Sequence, residues 1–155
     1  MPSRREDWRS VKITTEQDVT KLNDVNYLTI LTNPRKVIFN DYKTNQTYGK
    51  QIFSIPDDLD NIINKYINIK GLKPNDYLFG LDRDKREYIA QSNFSKKISE
   101  VFNKVYKIPI SLRFLRQSHI SYLLKTNPTV KAMKQLATAM AHSPEEQKLY
   151  NKILK

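Results

Sequence analysis

Hydrophobic and polar positions follow two different rhythms along this chain. Between residues 26 and 55 the apolar residues come in short β-type runs, "NYLTIL" (26–31), "KVIFNDYK" (36–43) and "KQIFSI" (50–55). Val37, Phe39 and Tyr42 lie in the second run, Ile52 and Ile55 in the third. The "TNQTYG" between those two runs supplies turn residues and predicts a hairpin. The "TNPR" turn brings the first run alongside, so a small antiparallel three-stranded sheet is expected. Ahead of the runs, "SRRE" (Ser3 to Glu6) has the form of a capping box and predicts a helix from Arg4 to about Val11.

From Pro56 onward the spacing turns helical. Leu59, Ile62, Ile63, Tyr66 and Ile67 form one stripe; Phe94, Ile98, Val101, Phe102 and Val105 form another on a helix starting near Ser92. Between them, "GLKPNDYLFG" reads as a loop with a short extended piece. "ISLRFLRQSHISYLLK" predicts a helix from about Ser111, and "NPTVKAMKQLATAM" a further one with Pro128 in its first turn. In "SPEE", Ser143 is the cap, Pro144 the first helical residue and Glu146 the capping-box partner of a last short helix carrying Leu149, Tyr150, Ile153 and Leu154. The fold class expected is α+β, mostly helical, in a single domain over 1–155 with no interdomain linker.

Composition narrows the function. Hydrophobic residues make up 39% of the 155, as in a globular domain, and no apolar run is long enough to span a membrane. The start, "MPSRREDWRS", has no signal-peptide pattern. The absence of cysteine excludes disulfides, a thiol nucleophile and thiolate metal sites, and an intracellular protein is expected. Lys and Arg number 27 against 16 acids, a formal net charge of +11. That surplus calls for a polyanionic partner. Because the basic residues are spread along the chain and not gathered on one amphipathic helix, nucleic acid is favoured over an anionic membrane surface.

The densest candidate site is "RFLRQSHIS". Arg113 and Arg116 are three apart on a predicted helix, so they share a face, and a phosphate between them relieves their repulsion. The alternative is a solvated basic face. Leu112, Leu115, Tyr122, Leu123 and Leu124 make the helix apolar, and it is expected to be buried. His142 lies at a helix junction, where the free N–H groups of the following helix favour an anion; its alternative is a packing role in a helix corner. Tyr150, two turns into that helix, reads by itself as a core or boundary residue.

Together these residues resemble the C-terminal half of the tyrosine recombinases, the phage-integrase family. That family has His-x-x-Arg on a helix, then Gly-His-Ser or similar at a helix junction, then Tyr roughly nine residues on; "LRFLRQSHISYLL" followed by "HSPEEQKLY" is similar. Arg116 takes the motif arginine's place, His142 the His/Trp place and Tyr150 the nucleophile's. Upstream, "RRED" resembles the family's Arg-x-x-Glu, with Arg4 in place and Arg5 as the alternative. "YKTNQTYGKQIFSIP" resembles the lysine hairpin, with Lys43 in place and Lys50 as the alternative. The likeness runs from Arg4 to Tyr150 in order. In style the hairpin is similar to that of integrases of large DNA viruses and mobile elements.

The resemblance implies a small sheet on a helical recombinase core that cuts and rejoins double-stranded DNA through a 3′-phosphotyrosyl intermediate, without metal, cofactor or ATP. Arg4, Arg113, Arg116 and His142 would hold the phosphate, Tyr150 would attack it and Lys43 would protonate the leaving oxygen. It also implies a homo-oligomer, a tetramer on DNA and a monomer without it. A type IB topoisomerase or a non-catalytic DNA-binding module is the rival reading. Three features depart from the family pattern: Arg113 stands where the motif histidine does, Ala141 replaces a glycine, and His142 and Tyr150 are eight apart. With its first arginine at residue 4, the chain is expected to lack the N-terminal clamp domain of the family. Ser143 to Tyr150 spans about 10 Å of helix axis, so Tyr150 is not expected to point at the arginines without DNA.

Overall fold

The computed structural model describes residues 5–126 and 129–139. They fall into two compact units: residues 5–91, and the described part of 92–155.

The first unit is built on a sheet. A short helix α1 (Arg5–Arg9) leads through a turn at Ser10 into strand β1 (Val11–Thr14). After a 3₁₀ turn at Val19–Lys21 come β2 (Asn26–Thr29) and β3 (Lys36–Phe39), then a one-turn helix α2 (Asn45–Tyr48) and β4 (Gln51–Ser54). The strand order is β1-β2-β3-β4. The β3–β4 hairpin and the antiparallel β2–β3 pair are as expected, but the sheet is neither three-stranded nor purely antiparallel. A fourth strand, β1, lies parallel to β2, in register Ile13 to Leu28. Val11, expected as the end of the first helix, instead opens this strand, and the helix stops at Arg9. Val11 and Ile13 alternate with half-exposed Lys12 and Thr14, and residues 15–25 make the crossover that a parallel pair requires.

The registers put Ile13, Leu28, Val37 and Phe53 in one row across the sheet. The first three are fully buried, and Trp8 adds an edge-to-face contact with Phe39 at 5.4 Å. On the outer side of β1, Leu78 N–H donates to Val11 O and Ile13 N–H to Asp76 O, each at 2.8 Å. This is the extended piece expected within "GLKPNDYLFG". Helix α3 (Asp57–Lys70) follows β4, with Asp57, Asp58 and Asp60 in its first turn facing the positive end of its dipole. Gly71 ends it at φ +57°, a left-handed position that suits glycine. Arg35 ties the start of β3 to α3 through an ion pair with Asp60 at 3.4 Å and a hydrogen bond to Asn64 at 2.5 Å.

The second unit is helical: α4 (Gln91–Tyr106), which begins at the boundary, then α5 (Leu112–Lys125) and α6 (Val130–Ala139). Ser111 caps α5 by accepting from Phe114 N–H at 3.1 Å. The starts near Ser92 and Ser111 are as the stripe and the cap predict. The burial of α5 is not. Phe114 is 54% and Tyr122 68% exposed, Leu115, Leu123 and Leu124 are half-buried, and among its described side chains Ile120 alone is buried. The apolar residues of α5 are scattered around the helix, so one face cannot bury them all.

Candidate functional site

Six residues were singled out by sequence, and the structure describes three of them. Lys43 belongs to the first unit; Arg113 and Arg116 belong to the second. Arg4, His142 and Tyr150 lie outside the described residues, as does the helix expected after Ser143. The alternative Arg5 opens α1.

Lys43 sits in the β3–β4 connection, one residue before Thr44, the cap residue of α2, with an exposed side chain. Among the described residues no hydrogen bond or ion pair occupies its ammonium. Lys50, the alternative, is engaged: its Nζ donates to Val19 O at 2.7 Å and to Asn23 Oδ1 at 2.6 Å. The backbone around Lys43 is closely braced. Tyr42 is buried and its hydroxyl donates to Gly49 O at 2.5 Å, spanning α2 from one end to the other. Burial is the chief cause that raises the Tyr42 pKa. Asn45 N–H donates to Tyr42 O at 3.0 Å, and Gly49 N–H to Asn45 O at 2.7 Å. Gly49 turns the chain at φ +63°.

Upstream of Lys43 lies a feature that sequence reading missed. Asn26, the first residue of β2, is fully buried. Its Oδ1 accepts from Asn40 N–H at 2.8 Å and from Asp41 N–H at 2.9 Å. Its Nδ2 donates to Asp41 O at 2.8 Å and to Asp7 O in α1 at 3.0 Å, with Ser10 Oγ at 3.2 Å. Asn40 in turn donates to Leu22 O and Val25 O. The signal available in the sequence was an asparagine opening an otherwise β-type run, which reads equally as an ordinary turn residue.

In the second unit, positions 113 and 116 are one turn apart on α5, near its N-terminal end. Arg113 is exposed. The first turn of α5 holds no acidic residue, in contrast to the three acids of α3. A cation beside the positive end of a helix dipole is unfavourable by about 0.3–1 kcal/mol. An anion docked at that end reverses the sign, since free N–H groups and guanidinium then act together.

Among the described residues no group of three or more His, Cys, Asp or Glu is placed to hold a metal ion, and no helix is long and apolar enough to cross a membrane. No protein-family model matches the sequence, and no curated protein matches it. Among solved structures, the crystal structure of XerA recombinase matches with a TM-score of 0.61 at 14% identity. The match covers 95% of this chain and 46% of that one, so this chain corresponds to about half of that protein. At this identity the likeness concerns the fold: the chain carries a tyrosine-recombinase fold.

Proposed function

We propose, with the tyrosine-recombinase fold as premise, that this chain is the catalytic domain of a DNA strand-breaking and rejoining enzyme. The observation that carries the reading is the fold shared with XerA recombinase over 95% of the chain. The +11 charge supports double-stranded DNA as the partner, and binding by this chain alone is expected to be weak and salt-sensitive. In-line attack on a phosphodiester adds negative charge to the nonbridging oxygens, which fixed donors must meet. Arg113 and Arg116, one turn apart on α5, would take part of that charge, with Arg4 and His142 completing the clamp.

In the proposed step the Tyr150 phenol gives up its proton to solvent and its oxygen bonds to phosphorus as the P–O5′ bond breaks. The 5′ oxygen departs with a proton from Lys43 Nζ, leaving a 3′-phosphotyrosyl ester and a free 5′ hydroxyl. The ester conserves the phosphodiester, so rejoining needs no ATP. Arginine stays protonated near neutral pH, so Arg113 serves as donor only. Exchange of strands between sites would require assembly on DNA, a tetramer of this chain.

The test uses a pool of duplexes randomised around a nick, so that a short leaving strand is lost and the adduct accumulates. Wild type is expected to give a covalent protein–DNA band, and Tyr150→Phe none while still shifting DNA in a gel. An adduct that survives Tyr150→Phe overturns the assignment of the nucleophile. A wild type that binds DNA and never forms an adduct leaves a binding module. Relaxation of supercoiled DNA without exchange between sites marks the topoisomerase outcome.

A further inference from the structure

The chain leaves β3 through Asn40 and Asp41, just before Tyr42 and Lys43. Residues at a strand exit lose the sheet ladder, and their backbone groups usually turn to water. Here all four backbone polar groups of Asn40 and Asp41 are taken by two side-chain amides. Asn26 Oδ1 accepts from both N–H groups, and Asn26 Nδ2 donates to Asp41 O. Asn45 Nδ2, from α2, donates to Asn40 O at 2.9 Å. The same Asn26 amide donates to Asp7 O in α1. One fully buried side chain thus joins three backbone segments, and one of them ends two residues from Lys43.

An amide is the group that can do this. It offers acceptor and donors on one rigid plane, whereas a carboxylate only accepts and an ammonium only donates. A lysine side chain has four rotatable bonds, so its placement depends on how well its own backbone is held.

We infer that Asn26 is a positioning residue for proton donation by Lys43, with Asn45 as its second brace. The inference rests on the reading of Lys43 as the donor to the 5′ oxygen. It adds that the position of that donor is set by an amide buried under the sheet exit and not by the hairpin alone. A misplacement of about 1 Å in a reacting group can cost about 100-fold in rate.

The experiment compares a duplex that forms the adduct with the same duplex carrying sulfur in place of the bridging 5′ oxygen. A thiolate leaves without a proton, so a defect confined to proton donation disappears on the sulfur substrate. Lys43→Ala is expected to slow adduct formation at least about 100-fold on oxygen and to recover on sulfur. Asn26→Ala is expected to slow it about 10- to 100-fold on oxygen, to recover to within about threefold of wild type on sulfur, and to add less than about twofold in the Lys43→Ala background. Asn45 is only half-buried, so Asn45→Ala is expected to keep the fold. It should give a smaller slowing, about three- to tenfold, that sulfur likewise removes, and it decides the matter if Asn26→Ala melts below the assay temperature. Equal slowing of the folded variants on both substrates, or effects that multiply with Lys43→Ala, would overturn the inference while leaving the enzyme reading intact. No adduct from wild type on either substrate would overturn both.

Discussion

Replacing Ile13 by alanine should cost the first unit much of its stability. The side chain is fully buried in β1, in one row with Leu28, Val37 and Phe53. Truncation to alanine removes three buried carbons at about 0.8 kcal/mol each, or about 2.4 kcal/mol. A residual cavity of about 60 Å³ at about 24 cal/mol per Å³ adds about 1.4 kcal/mol. The expected loss is about 4 kcal/mol, a large share of the roughly 5–15 kcal/mol that holds a domain folded. At about 2–4 °C per kcal/mol for a chain of this length, the melting temperature should fall roughly 8–16 °C. Urea unfolding followed by circular dichroism gives the free energy directly, and a thermal scan gives the shift. Ile69→Ala is the control: that residue is 84% exposed on α3, and its loss should stay within about 0.5 kcal/mol. A cost below about 1 kcal/mol for Ile13→Ala would mean that the residue is not in the core and that β1 is wrongly placed.

Two further outcomes follow from the first unit. A methyl group at Gly80 would lie 2.7 Å from Lys85 O and 2.8 Å from Lys85 Cα, both backbone atoms. Gly80→Ala should therefore cost about 1–3 kcal/mol and speed hydrogen exchange at the Tyr77 amide, which donates to Lys85 O; unchanged exchange and stability would contradict the close approach. Burial, and next the hydrogen bond donated to Asp24, push the Tyr27 pKa from 10.0 up to about 12. The neutral form is the one favoured on folding, so this stabilisation is complete below pH 10 and is lost as pH rises through 12. Between pH 9 and 11.5 the wild type should lose more stability in urea melts than Tyr27→Phe, and parallel losses would show that Tyr27 titrates normally.

Much of the order of events is written locally. Ser111 caps a helix because its hydroxyl reaches Phe114 N–H three residues on, and the "TNQTYG" between two β-type runs closes a hairpin. The charge surplus is equally legible, and the candidate order of arginine, lysine, arginine, histidine and tyrosine positions rests on residue type and spacing alone. β1 was not, because "VKIT" is four residues long beside a helix signal and becomes strand only when β2, fifteen positions later in register, pairs with it. The exposure of α5 was not legible either, as apolar content does not tell how many faces of a helix find a neighbour. For the same reason the two candidate lysines look alike in sequence. Only the folded chain brings Val19 and Asn23 to Lys50, leaving Lys43 without a partner among the described residues. Asn26 is the sharpest case. Its neighbours Tyr27 and Leu28 predict its strand, but its hydrogen bonds go to Asp7, Asn40 and Asp41, which lie 19, 14 and 15 positions away. Sequence alone determined most of the local elements, whose energies come from residues within a turn or a strand of each other. The tertiary structure decided which polar groups meet in a dry interior, where an amide with every bond made can hold a distant backbone in place.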